Sequence, residues 1–184
     1  MKLFFTQALL NFKQTGALCT SSRHLADKMI SSLYLVKKPK RIIELGAGDG
    51  YITKKILNSI GEDCELIVFE LNTTFCDELH KINDSRLVII NDCATNIMKY
   101  TNSKSIDFVI SSLPLAQIDG VTKSVILKKI INVLLNNGEF IQYQYSLLDY
   151  SFLKNNFRTI KISFTFFNFP PAFIYNCKLK YCPD

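Results

Sequence analysis

The hydrophobic pattern of the chain switches between two periods. Short, nearly unbroken apolar runs recur at 40–45 (KRIIEL), 64–70 (CELIVFE), 85–90 (SRLVII) and 105–110 (SIDFVI). Their length and their content of β-branched residues predict strands covered on both faces. Helical spacing fills the intervals. GYITKKILNSIG (50–61) stops at Gly61, and TTFCDELHKI (73–82) opens on a threonine cap. DGVTKSVILKKIINVLLNNG (119–138) carries apolar residues at 121, 125, 126, 130, 133 and 134 before an Asn-Asn-Gly stop. Such alternation predicts a parallel sheet with right-handed crossovers and helices on both faces. EFIQYQYS (139–146) continues it as a fifth parallel strand. FRTIKISFTFFNF (157–169), then Pro170-Pro171, then AFIYNCKLK (172–180) departs from it and predicts an antiparallel hairpin. The expectation is one α/β domain over residues 1–184. Its Rossmann-like core spans 40–184, and residues 1–36 form an N-terminal helical lid or membrane anchor.

Composition narrows the classes. With 48% apolar residues over 184 positions the chain can bury a sizeable core. A net charge of +6 suits an anionic partner, either nucleic acid or an acidic membrane surface. Six cysteines without a C-x-x-C pair, and only two histidines, argue against a metal centre and for reduced thiols in the cytosol. No run reaches the roughly 18–20 apolar residues of a spanning helix. The start, MKLFFTQALLNFKQTGAL, lacks a small-residue cleavage site and so is not read as a signal peptide. Wound as a helix it gathers Phe4, Phe5, Ala8, Leu9 and Phe12 on one broad side, a stripe fit for a membrane interface or for packing on the domain.

The chemistry concentrates at the ends of the predicted strands. ELGAGDG (44–50) closes the first strand and opens the first helix. Gly46 permits a tight turn, Gly48 a close backbone approach and Gly50 a helix start against the strand. The G-x-G-x-x-G dinucleotide fingerprint fails, because Tyr51 holds its last position. Glu70 ends the second strand, about 20 residues beyond the glycines, where nucleotide folds keep an acid for ribose hydroxyls. Asp92 follows the third strand. Three acids at the carboxyl ends of three consecutive strands form a more specific signal than any one of them. The G-x-G-x-G loop preceded by Glu44 resembles motif I of class I S-adenosylmethionine-dependent methyltransferases. That resemblance implies S-adenosylmethionine as cofactor. Glu44, with Asp49 adding to its charge, would face the amino-acid ammonium, Glu70 the ribose, and Asp92 the adenine amine. Cys93 and Ala94 would flank the ring, and Ser111 would also contact the cofactor.

The acceptor is the second question. Adenine-N6 methyltransferases carry Asn-Leu-Pro-aromatic after the fourth strand, where the asparagine and the adjacent carbonyl accept the amine hydrogens and the aromatic stacks on the base. This chain has Ser112-Leu113-Pro114-Leu115. Together, TGALCTSSRHLADKM (15–29), SSLPL (111–115), QYQYS (142–146) and NFPPAFIY (168–175) resemble bacterial phospholipid N-methyltransferases of the phosphatidylethanolamine and ornithine-lipid type. Thr20 departs from the proline usual before Ser-Ser-Arg. The resemblance implies a head-group amine as acceptor and peripheral association with the inner face of the plasma membrane. Tyr145, Ser112 and His24 would act on the amine. Arg23, Leu113, Pro114, Tyr143 and Tyr175 would contact the lipid, with Arg158 and Lys161 as alternative phosphate partners. An RNA adenine methyltransferase, a small-molecule methyltransferase and a cofactor-binding protein without turnover are the alternatives.

Overall fold

The structure is a computed structural model, and it describes residues 23–35, 38–168 and 170–179. The amphipathic stripe of residues 4–12 and the Ser21-Ser22 pair lie outside the described residues. Seven strands form one sheet: β1 (Arg41–Leu45), β2 (Glu65–Phe69), β3 (Leu87–Ile90), β4 (Ile106–Ser111), β5 (Leu134–Gln144), β6 (Thr159–Thr165) and β7 (Ala172–Lys178). Their order is β3-β2-β1-β4-β5-β7-β6. β1 to β5 are parallel, and β7 pairs antiparallel with both β5 and β6. Among the described residues the helices are α1 (Arg23–Ile30), α2 (Tyr51–Leu57), α3 (Thr73–His80), α4 (Gly120–Val133) and α5 (Tyr150–Asn156), with 3₁₀ turns at 31–35, 94–99 and 115–117.

Side chains alternate across the central strands, which creates two cores. Ile42, Leu66, Val68, Phe108, Ile110 and Ile141 face α1, α2 and Leu79 of α3. Ile43, Leu45, Ile67, Phe69, Val109 and Phe140 face the 94–99 turn, α4 and α5. β1, β2 and β4 are buried almost throughout, as their unbroken apolar runs predict. β3 is an edge strand, and its Val88 is exposed.

Three local expectations are corrected. α3 is capped by Asn72, whose side chain accepts from the backbone N–H of Thr74 and Phe75; Thr73 is its first residue. α4 ends at Val133, not at Asn-Asn-Gly. Leu134 already pairs with Ile106, and the register shifts before Glu139 meets Phe108, so Asn136, Asn137 and Gly138 belong to β5. Strand pairing here overrides a sequence stop signal. α5 lies between β5 and β6, in the interval 147–156 to which the hydrophobic pattern assigns no element; at 7 residues it is too short to show a helical period.

Gly138 gives a stability test that leaves the edge with the glycine loop untouched. A Cβ there would sit 3.0 Å from the Ile106 carbonyl oxygen, the Leu135 carbonyl oxygen and Leu134 Cδ2. Two of these are backbone atoms and cannot swing away. Gly138→Ala is expected to destabilise the fold by about 1–3 kcal/mol, read as a lower urea midpoint at unchanged slope.

Candidate active site

The parallel strands deliver their carboxyl ends to one edge, where α/β sheets bind ligands. β1 delivers Glu44 and the glycine loop, β2 delivers Glu70, the segment after β3 delivers Asp92, and β4 delivers Ser111 to Leu115. A pocket at this edge is lined by Gly46, Phe69, Glu70, Leu71, Asp92, Ala94 and Leu113. Five of the predicted residues are thus brought together: Gly46, Glu70, Asp92, Ala94 and Leu113. Phe69 and Leu71 complete the wall.

Gly46 follows the end of β1, beside the segment that leaves β4. Its φ is +74°, and a Cβ would lie 3.0 Å from Leu113 Cδ2. Gly50, with φ +78°, packs instead against α3 and the residues after it, since its Cβ would meet Leu79 Cδ2 at 2.9 Å and Ile82 Cδ1 at 3.2 Å. It serves the fit between α2 and α3 rather than the strand. The Gly48 N–H donates to Glu70 Oε2 at 2.9 Å, and the Asn72 N–H donates to Glu70 Oε1 at 2.8 Å. Glu70 therefore staples the glycine loop to the end of β2. One lone pair remains on each oxygen for further donors such as vicinal hydroxyls.

Glu44 is fully buried, and Thr53 Oγ1 donates to its Oε2 at 2.7 Å. Its other oxygen, Oε1, has no partner. Burial first, then the nearby charges of Glu70 and Asp49, push its carboxyl up to about 8 against the hydrogen bond from Thr53. A buried carboxyl with one unused oxygen is chemically suited to a cationic ligand group, directly or through water. Asp92 is held the opposite way. Asn96 Nδ2 donates to Oδ1 at 2.8 Å and the Tyr100 hydroxyl to Oδ2 at 2.9 Å. The Asn96 bond leads the causes that keep its carboxyl below the usual range. Cys93 is half-buried beside it and donates its backbone N–H to Asp92 Oδ1 at 2.7 Å.

The segment after β4 is organised by its proline. Pro114 has φ −76° and ψ 75°, an inverse γ-turn, with the Leu115 N–H donating to the Leu113 carbonyl at 2.9 Å. The same carbonyl accepts from Gln142 Nε2 and from Gln144 Nε2, both at 3.0 Å. Three donors fill an oxygen that has two lone pairs. Ser111 Oγ accepts from the Leu113 N–H at 3.3 Å, while the buried Ser112 Oγ has no partner. Gln142 and Gln144 went unrecognised in the sequence. The signal was there: two amides at alternate positions of a strand that is otherwise apolar and aromatic. Thr53 was missed in the same way, as a polar residue on the sheet-facing side of α2.

The aromatics separate. Tyr143 and Tyr145 pack against the α1/α2 core, edge to face with ring centroids 5.6 Å apart. Tyr175 belongs to the opposite core, is fully buried and donates its hydroxyl to the Ser146 carbonyl at 3.1 Å. The sheet lies between it and the Tyr143/Tyr145 pair, because Tyr175 pairs with Gln142 and not with an odd-numbered neighbour. Its expected contact with substrate is thereby corrected to a core role. Arg23 and His24 are exposed on α1, and the His24 ring stacks on Phe167 with centroids 4.7 Å apart. Arg158 precedes β6, and its N–H bonds the Lys178 carbonyl at the opposite edge of the sheet, so it is removed from the site. Lys161 is exposed midway along edge strand β6. Among the described residues no group of three or more His, Cys, Asp or Glu side chains is arranged to hold a metal, and no helix is long and apolar enough to cross a membrane.

No protein-family model matches the chain. The N-methyltransferase NodS from Bradyrhizobium japonicum, solved with S-adenosyl-L-homocysteine, superposes with a TM-score of 0.71 at 9% identity over 90% of this chain and 91% of that one. A S-adenosylmethionine-dependent methyltransferase from Aquifex aeolicus gives 0.64 at 11% identity over 83% and 88%. Of the longer spermidine synthase from Thermotoga maritima, similar in fold with a TM-score of 0.63, this chain spans 56%. In sequence, the chain is 30% identical over 143 residues to the ornithine lipid N-methyltransferase of Singulisphaera acidiphila, covering 74% of each. With a motif I loop, acids at three strand ends and the strand order found here, the chain belongs to the family of class I S-adenosylmethionine-dependent methyltransferases that includes this ornithine lipid N-methyltransferase.

Proposed function

We propose that this methyltransferase acts on the head-group amine of an aminolipid. The observation that carries the reading is the filled carbonyl of Leu113. A site for adenine would offer this oxygen to the base's amine, and here the Leu115 N–H and the Gln142 and Gln144 amides already occupy it. Leu115, buried in the core, presents no ring on which a base would stack. The name of the relative that is 30% identical supports a lipid amine as the acceptor.

The residues fit the cofactor. Glu44, with its unpartnered buried oxygen, would hold the ammonium end, the Gly46 turn would pass beneath it, Glu70 would take the ribose and Asp92 the adenine amine. When bound, S-adenosylmethionine supplies a methyl group on a cationic sulfur, which an amine lone pair displaces in line. This chain's own task is to bring the amine up unprotonated, aligned and shielded from water. Ser112 Oγ, buried and without a partner, is the acceptor we assign to an amine hydrogen. The faces of Tyr143 and Tyr145 suit a methylated ammonium product. Arg23, exposed on α1, suits an anionic group of the lipid, and His24 beside it is a candidate proton acceptor.

The test is incubation of purified protein and methyl-labelled S-adenosylmethionine with total lipid extract, and separately with RNA. Label is expected in chloroform-soluble material. Label in RNA alone would overturn the reading. Ser112→Ala is expected to lower turnover on lipid by about tenfold, the loss of one hydrogen bond to the reacting amine, while affinity for S-adenosyl-L-homocysteine stays unchanged.

A further inference from the structure

We infer that the carboxyl edge of the sheet carries an apolar rim that docks on a bilayer containing anionic lipid, and that this rim is formed by two loops of the folded domain. Leu148, Phe166 and Phe167 are 80%, 76% and 72% exposed. Val121 and Leu147 are also exposed. All five leave the sheet at the same edge. Leu147 and Leu148 follow the carboxyl end of β5. Phe166 and Phe167 join β6 to β7 where Gln144 pairs with Phe173 and Thr165 with Ala172. Val121 stands in the first turn of α4, which follows β4. β7 alone separates β5 from β6, so the two loops lie within about 10 Å, two strand spacings. Lys123 and Asp149 form an ion pair that ties the start of α4 to the loop after β5.

Folded domains rarely leave several large apolar side chains together in water unless something covers them. The rim also has cations behind it. His24 of α1 stacks on Phe167, and Lys28 donates to the Phe164 carbonyl, so α1 is fixed against the Phe166–Phe167 turn with Arg23 and Lys28 on its exposed side. Apolar side chains in front and basic groups behind match the hydrocarbon and the anionic head groups of a bilayer. The chain's net charge of +6 acts in the same direction. The pocket of Gly46, Glu70, Asp92 and Leu113 opens on this same edge, so a docked rim would bring head groups to the site without a lipid leaving the membrane. The choice of a bilayer over a protein partner rests on the aminolipid reading above.

The experiment is flotation of the full chain with phosphatidylethanolamine/phosphatidylglycerol vesicles and with phosphatidylcholine vesicles. It compares the natural chain with Leu148→Ser/Phe166→Ser/Phe167→Ser, and titration with S-adenosyl-L-homocysteine serves as the folding control. The natural chain is expected to float with the anionic vesicles, less so in high salt. The triple variant should lose at least about tenfold in bound fraction, equivalent to about 1.4 kcal/mol, and keep its affinity for the nucleoside. A triple variant that floats like the natural chain overturns the proposal. So does a natural chain that fails to float and instead self-associates through the rim. Methylation of aminolipid in detergent micelles separates the two readings. Activity there with flotation indifferent to the rim defeats the rim alone, and rim-dependent flotation without lipid methylation defeats the substrate reading alone.

Discussion

Gly46→Val is expected to lower affinity for S-adenosyl-L-homocysteine by at least about a hundredfold, with a modest loss of fold stability. Two physical terms combine. The backbone at Gly46 has φ +74°, a conformation that costs an ordinary residue about 1–2 kcal/mol and a β-branched one more. The new Cβ would also stand 3.0 Å from Leu113 Cδ2, and the valine methyls would project beyond it. Relief requires either the glycine loop or the post-β4 turn to move, and both line the pocket. The turn has little freedom, since Leu113 is held through its carbonyl by Gln142 and Gln144. Each 1.4 kcal/mol is tenfold in affinity, so about 3 kcal/mol of combined strain and displacement gives the stated effect. Gly46→Ala with Leu113→Ala removes the side-chain contact but not the positive φ, and is expected to recover only part of the loss. Isothermal titration of the three proteins reads this out. Full recovery by the double variant would show that the contact alone matters.

Cofactor affinity is also expected to climb with pH and to level off near pH 8. The cause is Glu44, whose carboxyl is pushed up to about 8 mainly by its burial. At pH 6 the carboxyl is neutral in the free protein, whereas a cationic ligand group beside Oε1 favours the carboxylate. Binding must therefore release a proton. Below pH 8 the affinity should rise close to tenfold per pH unit, about a hundredfold between pH 6 and 8. Glu44→Gln should bind weakly and with a flat profile, since its amide carries no charge at either pH. The same group sets an opposite trend in stability. Below pH 4.5, the ordinary value, both folded and unfolded chains hold the proton and the group is neutral to folding. From there to about 8 the folded chain holds a proton that the unfolded chain has lost, so stability falls as pH rises, by up to about 5 kcal/mol. Above 8 the contribution is constant. Urea melts of the natural chain and Glu44→Gln across this window test it, and parallel slopes for the two would exclude Glu44 as the cause.

Most of the sheet was legible in the sequence because a strand covered on both faces must be apolar at every position. β1, β2 and β4 have no other way to be buried, and the glycine loop marks where the first of them ends. The hairpin of β6 and β7 was equally open to reading, through alternation and the Pro170-Pro171 turn. The three acids could be placed at one edge for the same reason, since parallel strands joined by helices put their carboxyl ends on one side. Glu44, Glu70 and Asp92 all stand there.

Local signals misled where a non-local pairing was stronger. Asn-Asn-Gly is a sound helix stop, yet Leu134 pairs with Ile106 four residues before Gly138 and draws the segment into β5. Tyr175 resembled Tyr143 and Tyr145 in type and spacing, but which face a strand residue occupies depends on its register with its neighbour. Pairing with Gln142 puts Tyr175 in the opposite core.

By itself, then, the sequence determined the elements, their parallel order of use and the edge at which chemistry gathers, because these follow from local periodicity and strand direction. Tertiary structure alone decided the state of each group at that edge. Burial, working against the hydrogen bond from Thr53, makes Glu44 an acid that titrates at about 8. The backbone N–H groups of Gly48 and Asn72 turn Glu70 into a staple of the loop. Two glutamines from β5 fill the Leu113 carbonyl. Each of these depends on which atoms the folded chain brings into contact. Desolvation and hydrogen-bond saturation are properties of that meeting and of no residue taken alone.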